Sequence, residues 1–159
     1  MARWSIAGFW QGQYAYDAGE GYPDPAQSVQ FVLELEQSWF GRFSGRVQDR
    51  GETGSPEPGQ VKGRIWGLHL KFVKQMPIFY LRGRDGMTTF REYLKCDHSL
   101  VPDRNLRPPP VHYRGTFCPD SERVTGDWEI RPGVLRFTSD GRAYEWPLPG
   151  ATGTWEMTR

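Results

Sequence analysis

The chain predicts an all-β fold, an antiparallel up-and-down barrel of about 8–10 strands in one domain spanning residues 1–159. Three observations carry this. A Gly-x-aromatic or Gly-x-aliphatic unit recurs at Gly12-Gln13-Tyr14, Gly41-Arg42-Phe43, Gly45-Arg46-Val47, Gly63-Arg64-Ile65, Gly115-Thr116-Phe117, Gly126-Asp127-Trp128 and Gly153-Thr154-Trp155. Residues two apart share a strand face, and the missing Cβ leaves room for sharp coiling or for a neighbouring ring to lie over bare backbone. Segments between turn signals alternate apolar and polar residues with a period of two. Thirteen Pro and nineteen Gly oppose long helices, while the 14% aromatic share suits pleated, half-buried surfaces.

The first clear strand is Ser28 to Glu36, with Val29, Phe31, Leu33 and Leu35 on one face and Gln30, Glu34 and Glu36 on the other. A short connection at Gln37 to Ser38 leads into a hairpin partner at Phe40–Asp49. There Phe43 and Val47 alternate with Arg42, Ser44, Arg46 and Gln48. Arg50 to Gly59 is loop chemistry. Gln60 to Trp66 and Leu68 to Lys74 form the next pair, with Leu68, Leu70 and Phe72 as the apolar row. Ile78–Arg82 reads as a short strand before the Arg84-Asp85-Gly86 turn.

The region from 83 to 110 departs from the barrel pattern and reads as an insertion or lid. Thr89-Phe90-Arg91-Glu92 fits a capping box, with Phe90, Tyr93 and Leu94 at helical spacing, which predicts a helix over Thr89–Cys96. Pro102, Pro108, Pro109 and Pro110 keep the following stretch out of a central strand. Strands resume at Val111–Phe117 and Arg123–Arg131. Val134–Thr138 and Arg142–Trp146 flank the Ser139-Asp140-Gly141 turn, and Gly153–Thr158 closes the series.

Three segments resemble the calycin group of barrels, the lipocalins, fatty-acid-binding proteins and avidins. Gly8-Phe9-Trp10-Gln11-Gly12-Gln13-Tyr14 resembles their opening Gly-x-Trp region. Phe31-x-Leu33-x-Leu35 followed by Phe40-Gly41-Arg42-Phe43-Ser44-Gly45 is similar to early avidin-like hairpins. His112-Tyr113-Arg114-Gly115, Val124 to Ile130 and Gly153-Thr154-Trp155-Glu156-Met157 complete the series. The resemblance covers nearly the whole chain outside 83–110. It implies a closed barrel with a cup at one end that holds a small, often apolar molecule. The leading functional reading is a non-enzymatic binder of a small hydrophobic or aromatic ligand, gated by the segment Thr89–Pro110. The candidate ligand-binding residues are Tyr14, Trp66, Tyr113, Arg114 and Trp128; a solid packed interior is the competing reading, since eight-stranded barrels do either. Gly21-Tyr22-Pro23 suggests a haem-binding relative, but such a barrel needs an axial His near the chain end and the last His is His112.

Charge and chemistry narrow the remaining classes. Net charge is +1, from 20 basic and 19 acidic side chains, and Arg82 to Arg114 holds seven Lys/Arg against four Asp/Glu. That balance predicts no nucleic-acid partner, because phosphate binding needs a basic field. No stretch reaches the roughly 20 apolar residues of a membrane span, so no membrane partner is predicted either. Two Cys and no leader-like apolar run point to a cytoplasmic protein with reduced thiols; oligomeric state is left open.

Cys96, His98, His112 and Cys118 could supply a tetrahedral zinc site, yet Cys-x-His and His-x5-Cys are not zinc-knuckle spacings. A half-buried Cys118 beside surface histidines is the simpler reading, a Cys96–Cys118 disulfide a lesser one, and no cofactor is predicted. Asp127 and Glu129 share a strand face, and with His112 or His98 they are the candidate acids and bases of an enzymatic alternative; an exposed charged strand face is the simpler account. A third reading is a scaffold that recognises another protein through exposed aromatic or proline-rich loops.

Overall fold

The computed structural model describes residues 4–17, 28–51, 54–83, 86–98, 100–101 and 106–159. In chain order the elements are β1 (Gly8–Tyr16), β2 (Ser28–Gln37), β3 (Arg42–Arg50), β4 (Gly59–Trp66), β5 (His69–Gln75), β6 (Tyr80–Gly83), β7 (Gly86–Thr89), α1 (Phe90–His98), β8 (Val111–Cys118), β9 (Arg123–Ile130), β10 (Gly133–Ser139), β11 (Arg142–Leu148) and β12 (Ala151–Thr158). Eight of them close an antiparallel barrel in the order β1-β12-β9-β8-β5-β4-β3-β2. Each strand pairs with its successor within the barrel, and β12 returns to β1 through pairs such as Tyr14–Trp155. This is the up-and-down topology expected from the alternation.

The expected range of barrel strands narrows to eight because β10–β11 and β6–β7 form separate two-stranded sheets. Alternation along β10 and β11 was legible, but period two does not say which sheet a strand joins. Phe137 and its half-buried neighbours Leu135, Tyr144 and Trp146 pack on Phe90, Leu94 and Tyr93 of α1. The stretch between β9 and β12 is therefore a second excursion, with a small apolar core shared with the first. Ser139, 1% exposed, fastens the two by donating to the Val101 carbonyl at 2.9 Å.

Helix α1 begins as its capping pattern predicts. The Glu92 amide donates to the Thr89 hydroxyl at 3.1 Å, satisfying one of the donors that a helix start leaves open. In β5 the inward row is Leu70, Phe72 and Lys74; Leu68 instead sits in the turn at 44% exposure.

Connections divide unequally between the barrel ends. The turns 38–41, 67–68 and 119–122 are short, and all lie at one end. The longer connections start from the other end, after Tyr16, Arg50, Gln75 and Ile130. Between the ends, large rings pack on one another. Phe72 stacks on Tyr113 at 4.5 Å between centroids, and Trp155 meets both edge-on at 5.3 and 5.5 Å. Glycine makes this possible, as the recurring Gly-x-aromatic unit implied: a Cβ on Gly115 would stand 2.6 Å from the Trp155 ring. Trp128 and Trp155 face inward at 2% and 3% exposure. The middle of the barrel is thus a packed core, as in the competing reading of a solid interior.

Candidate binding site at the loop-rich end

Two inward rows that begin apolar end on charge. Along β3 the row runs Phe43, Gly45, Val47, Asp49, and along β5 it runs Leu70, Phe72, Lys74. Both charged residues lie at the loop-rich end, where β3 and β5 face the interior. Lys74 donates to Asp49 Oδ1 at 2.9 Å, with the two side chains only 5% and 3% exposed. The Tyr14 hydroxyl donates to Asp49 Oδ2 at 3.1 Å, and the Lys74 ammonium lies 4.8 Å from the Tyr14 ring centroid. A buried charge pair is tolerable only when its remaining hydrogen-bonding capacity is met.

Ser55, in the connection after β3, reaches this group. The Ser55 amide donates to Asp49 Oδ2 at 3.4 Å, while Gln48 Nε2 donates to the Asp49, Ser55 and Pro56 carbonyls. The Ser55 hydroxyl, however, is buried without a partner among the described residues. Such an atom in a native core calls for an explanation. Next to it, the Tyr80 hydroxyl donates to both Glu57 oxygens at 3.0 and 2.9 Å, tying this connection to β6. Burial, then the hydrogen bond and charge of Glu57, push the Tyr80 phenol above its ordinary range.

An aromatic wall completes the site. Tyr14 packs near Phe31, and Trp128 meets Tyr14 and Tyr16 edge-on at 6.0 and 4.8 Å. The Trp128 indole donates to the Ala15 and Thr154 carbonyls, which fixes its ring across the strands. Half-buried Met76, Val111 and Ile130 pack against the same core.

Of the five residues expected to bind ligand, Tyr14, Tyr113 and Trp128 point into the barrel. Trp66 and Arg114 do not join them, because their parity on β4 and β8 turns them outward. They meet instead in a groove of about 230 Å³ on the outer wall, with His69, Thr116 and Asp127. Asp127, Glu129 and His112 are also on the outer wall. Asp127 pairs with Arg114 at 3.4 Å, Glu129 with Arg131 at 3.6 Å, and His112 lies across from Glu129 in register.

The tetrahedral metal arrangement does not assemble. His112 and Cys118 are six residues apart on one strand, about 20 Å at strand rise, far beyond a shared ion. The side chains of Cys96 and His98, and the segment Gly21-Tyr22-Pro23, lie outside the described residues, and no group of three His, Cys, Asp or Glu gathers among those described.

Cys118 is a free, exposed thiol. Hydrogen bonds from the Ser121 side chain, then from its backbone, hold the thiol below its usual range. Alkylation of Cys118 by iodoacetamide, followed by peptide mass mapping, should therefore show a pH midpoint below that of an ordinary cysteine. Ser121→Ala should move that midpoint upward.

Asp49, Lys74, Ser55 and Glu57 escaped the sequence reading. The available signal was parity: Asp49 and Lys74 extend apolar rows onto charged residues, where an outer-face charge would have fallen one position away. Among the described residues, no helix is long and apolar enough to cross a membrane. Comparison with known protein families, with curated proteins and with solved structures finds no match to this chain.

Proposed function

We propose that this is a calycin-like, cytoplasmic binding barrel that takes a small, largely apolar or aromatic molecule with one polar group at its loop-rich end. The observation that carries the reading is the buried Tyr14–Asp49–Lys74 group, with the Ser55 hydroxyl nearby bonded to no described residue. Buried polar groups fix a ligand's orientation in an otherwise apolar site. Tyr14, Tyr16 and Trp128 offer ring faces and edges for the apolar part. The packed middle of the barrel limits the ligand to the upper layer, shallower than a deep lipocalin cup.

Ser55 separates binding from folding. Removing a hydroxyl that bonds to no described residue should leave stability nearly unchanged, whereas a ligand bonded to it would lose one hydrogen bond. With 1-anilinonaphthalene-8-sulfonate as probe, an aromatic anion suited to Lys74, Ser55→Ala should weaken binding about two- to twelve-fold. Native mass spectrometry of the purified protein supplies the second reading, a co-purified small molecule. No saturable probe binding and no retained molecule would overturn the proposal.

A further inference from the structure

We infer that the outer wall formed by β3, β4, β5 and β8 binds single-stranded nucleic acid, independently of the interior site. Wrapping the strands sorts charge in a way the near-neutral total conceals. Outward positions on these four strands carry Arg42, Arg46, Lys62, Arg64, Lys71 and Arg114, all exposed, and no Asp or Glu. Acidic residues collect on the remaining strands, where Glu129, Glu156, Glu34 and Glu36 face outward, while Asp127 borders the basic wall, opposite Arg114 and in the same groove as Trp66.

The register makes the basic wall more specific than a patch. Arg42 lies opposite Arg64, Arg64 opposite Lys71, and Lys71 opposite Arg114. Four cations thus form one row across four adjacent strands, about 14 Å long at the usual strand spacing. Like charges directly opposite each other destabilise a sheet, and here three such pairs follow in succession. Only Arg114, at the row's end, has a carboxylate within ion-pair distance among the described residues. A chain of phosphates laid along the row would relieve that repulsion.

Aromatic surface borders the same row. Two register pairs below it, on the same outer face, Trp66 is 48% exposed and lies beside His69 and Lys71. It opens onto the 230 Å³ groove that also contains Arg114, Thr116 and Gly126. A base can stack on the indole there while its phosphate meets Lys71 or Arg114. At the Arg42 end, Trp39 and Phe40 are 85% and 84% exposed, and Phe40 is held at φ 58°, a conformation unusual for a bulky residue. Rings placed along a cationic track are how sequence-tolerant single-strand binders work: phosphates are neutralised and bases stack. An anionic bilayer is the competing polyanion. It fits less well, because the cations continue up the flank through Arg46 and Lys62, away from the Trp39–Phe40 tip.

The test is fluorescence anisotropy of a labelled twelve-nucleotide oligothymidylate with the full chain. Four phosphate contacts on a single strand predict about a 50-fold loss of affinity between 50 and 200 mM salt. Arg64→Glu with Lys71→Glu should abolish binding, and Trp66→Ala should weaken it about five- to 150-fold. Arg136→Glu, on β10 and far from the row, serves as the charge control and should bind as the parent does. Circular dichroism and thermal melting check that each variant is folded. Absence of binding at low salt would overturn the inference. So would an affinity indifferent to Trp66→Ala, which would indicate charge attraction alone, or co-sedimentation with phosphatidylserine–phosphatidylcholine vesicles without oligonucleotide binding.

Discussion

Replacing Asp49 with alanine should destabilise the protein by about 3–5 kcal/mol, among the largest effects expected of any single substitution here. The Lys74 ammonium, 5% exposed, would lose the carboxylate 2.9 Å away, and Tyr14 would lose its acceptor. An ammonium buried without its counter-charge is costly, because the lost hydration is no longer offset by the carboxylate. The measurement is the denaturant midpoint, with an unchanged slope showing that cooperative unfolding persists. Asp49→Leu combined with Lys74→Met removes both charges together and should return most of the lost stability, because a packed apolar pair avoids the desolvation cost. The same double variant should lose 1-anilinonaphthalene-8-sulfonate binding. A purely structural ion pair would leave probe binding intact in that stable background, so the comparison separates architecture from function.

The architecture was legible because local and global requirements agree along most of the chain. Val29, Phe31, Leu33 and Leu35 alternate strictly and are all buried, and Thr89 caps α1 as its spacing implies. What escaped the sequence depends on which strands become neighbours. Leu135, Phe137 and Trp146 carry the same periodic signal as barrel residues, yet they pack on Phe90 and Leu94. Trp66, a candidate for the lining of the cup, is turned outward by its parity on β4. The basic row is invisible in a linear count because Arg42, Arg64, Lys71 and Arg114 are spread over more than seventy residues and meet only through register. Asp49 and Lys74 were legible by parity alone.

Gly153→Ala should be among the most disruptive of the single-methyl additions, costing about 1–3 kcal/mol or more through overpacking. The residue has an ordinary backbone conformation, so the cost is steric. An added Cβ would stand 2.5 Å from Cε2 and Cζ2 of Trp128 and closer still to the Ala15 carbonyl. Trp128 cannot simply swing away, because its indole N–H donates to the carbonyls of Ala15 on β1 and Thr154 on β12. The methyl group must therefore shift the ring, the β1–β12 pairing, or both. Gly133→Ala is the matched control: nothing lies within 4 Å of its added Cβ, and stability should hold or rise slightly. Trp128→Phe in the Gly153→Ala background should recover part of the loss, giving a less-than-additive double-mutant cycle. Additive costs would mean that backbone crowding at Ala15 dominates, and that the glycine serves strand approach more than the ring lying over it. The distinction bears on the binding site directly, since Trp128 also forms part of the wall beside Tyr14 and Tyr16. A displaced indole should weaken probe binding in Gly153→Ala, whereas crowding confined to the backbone should leave it near the parent value.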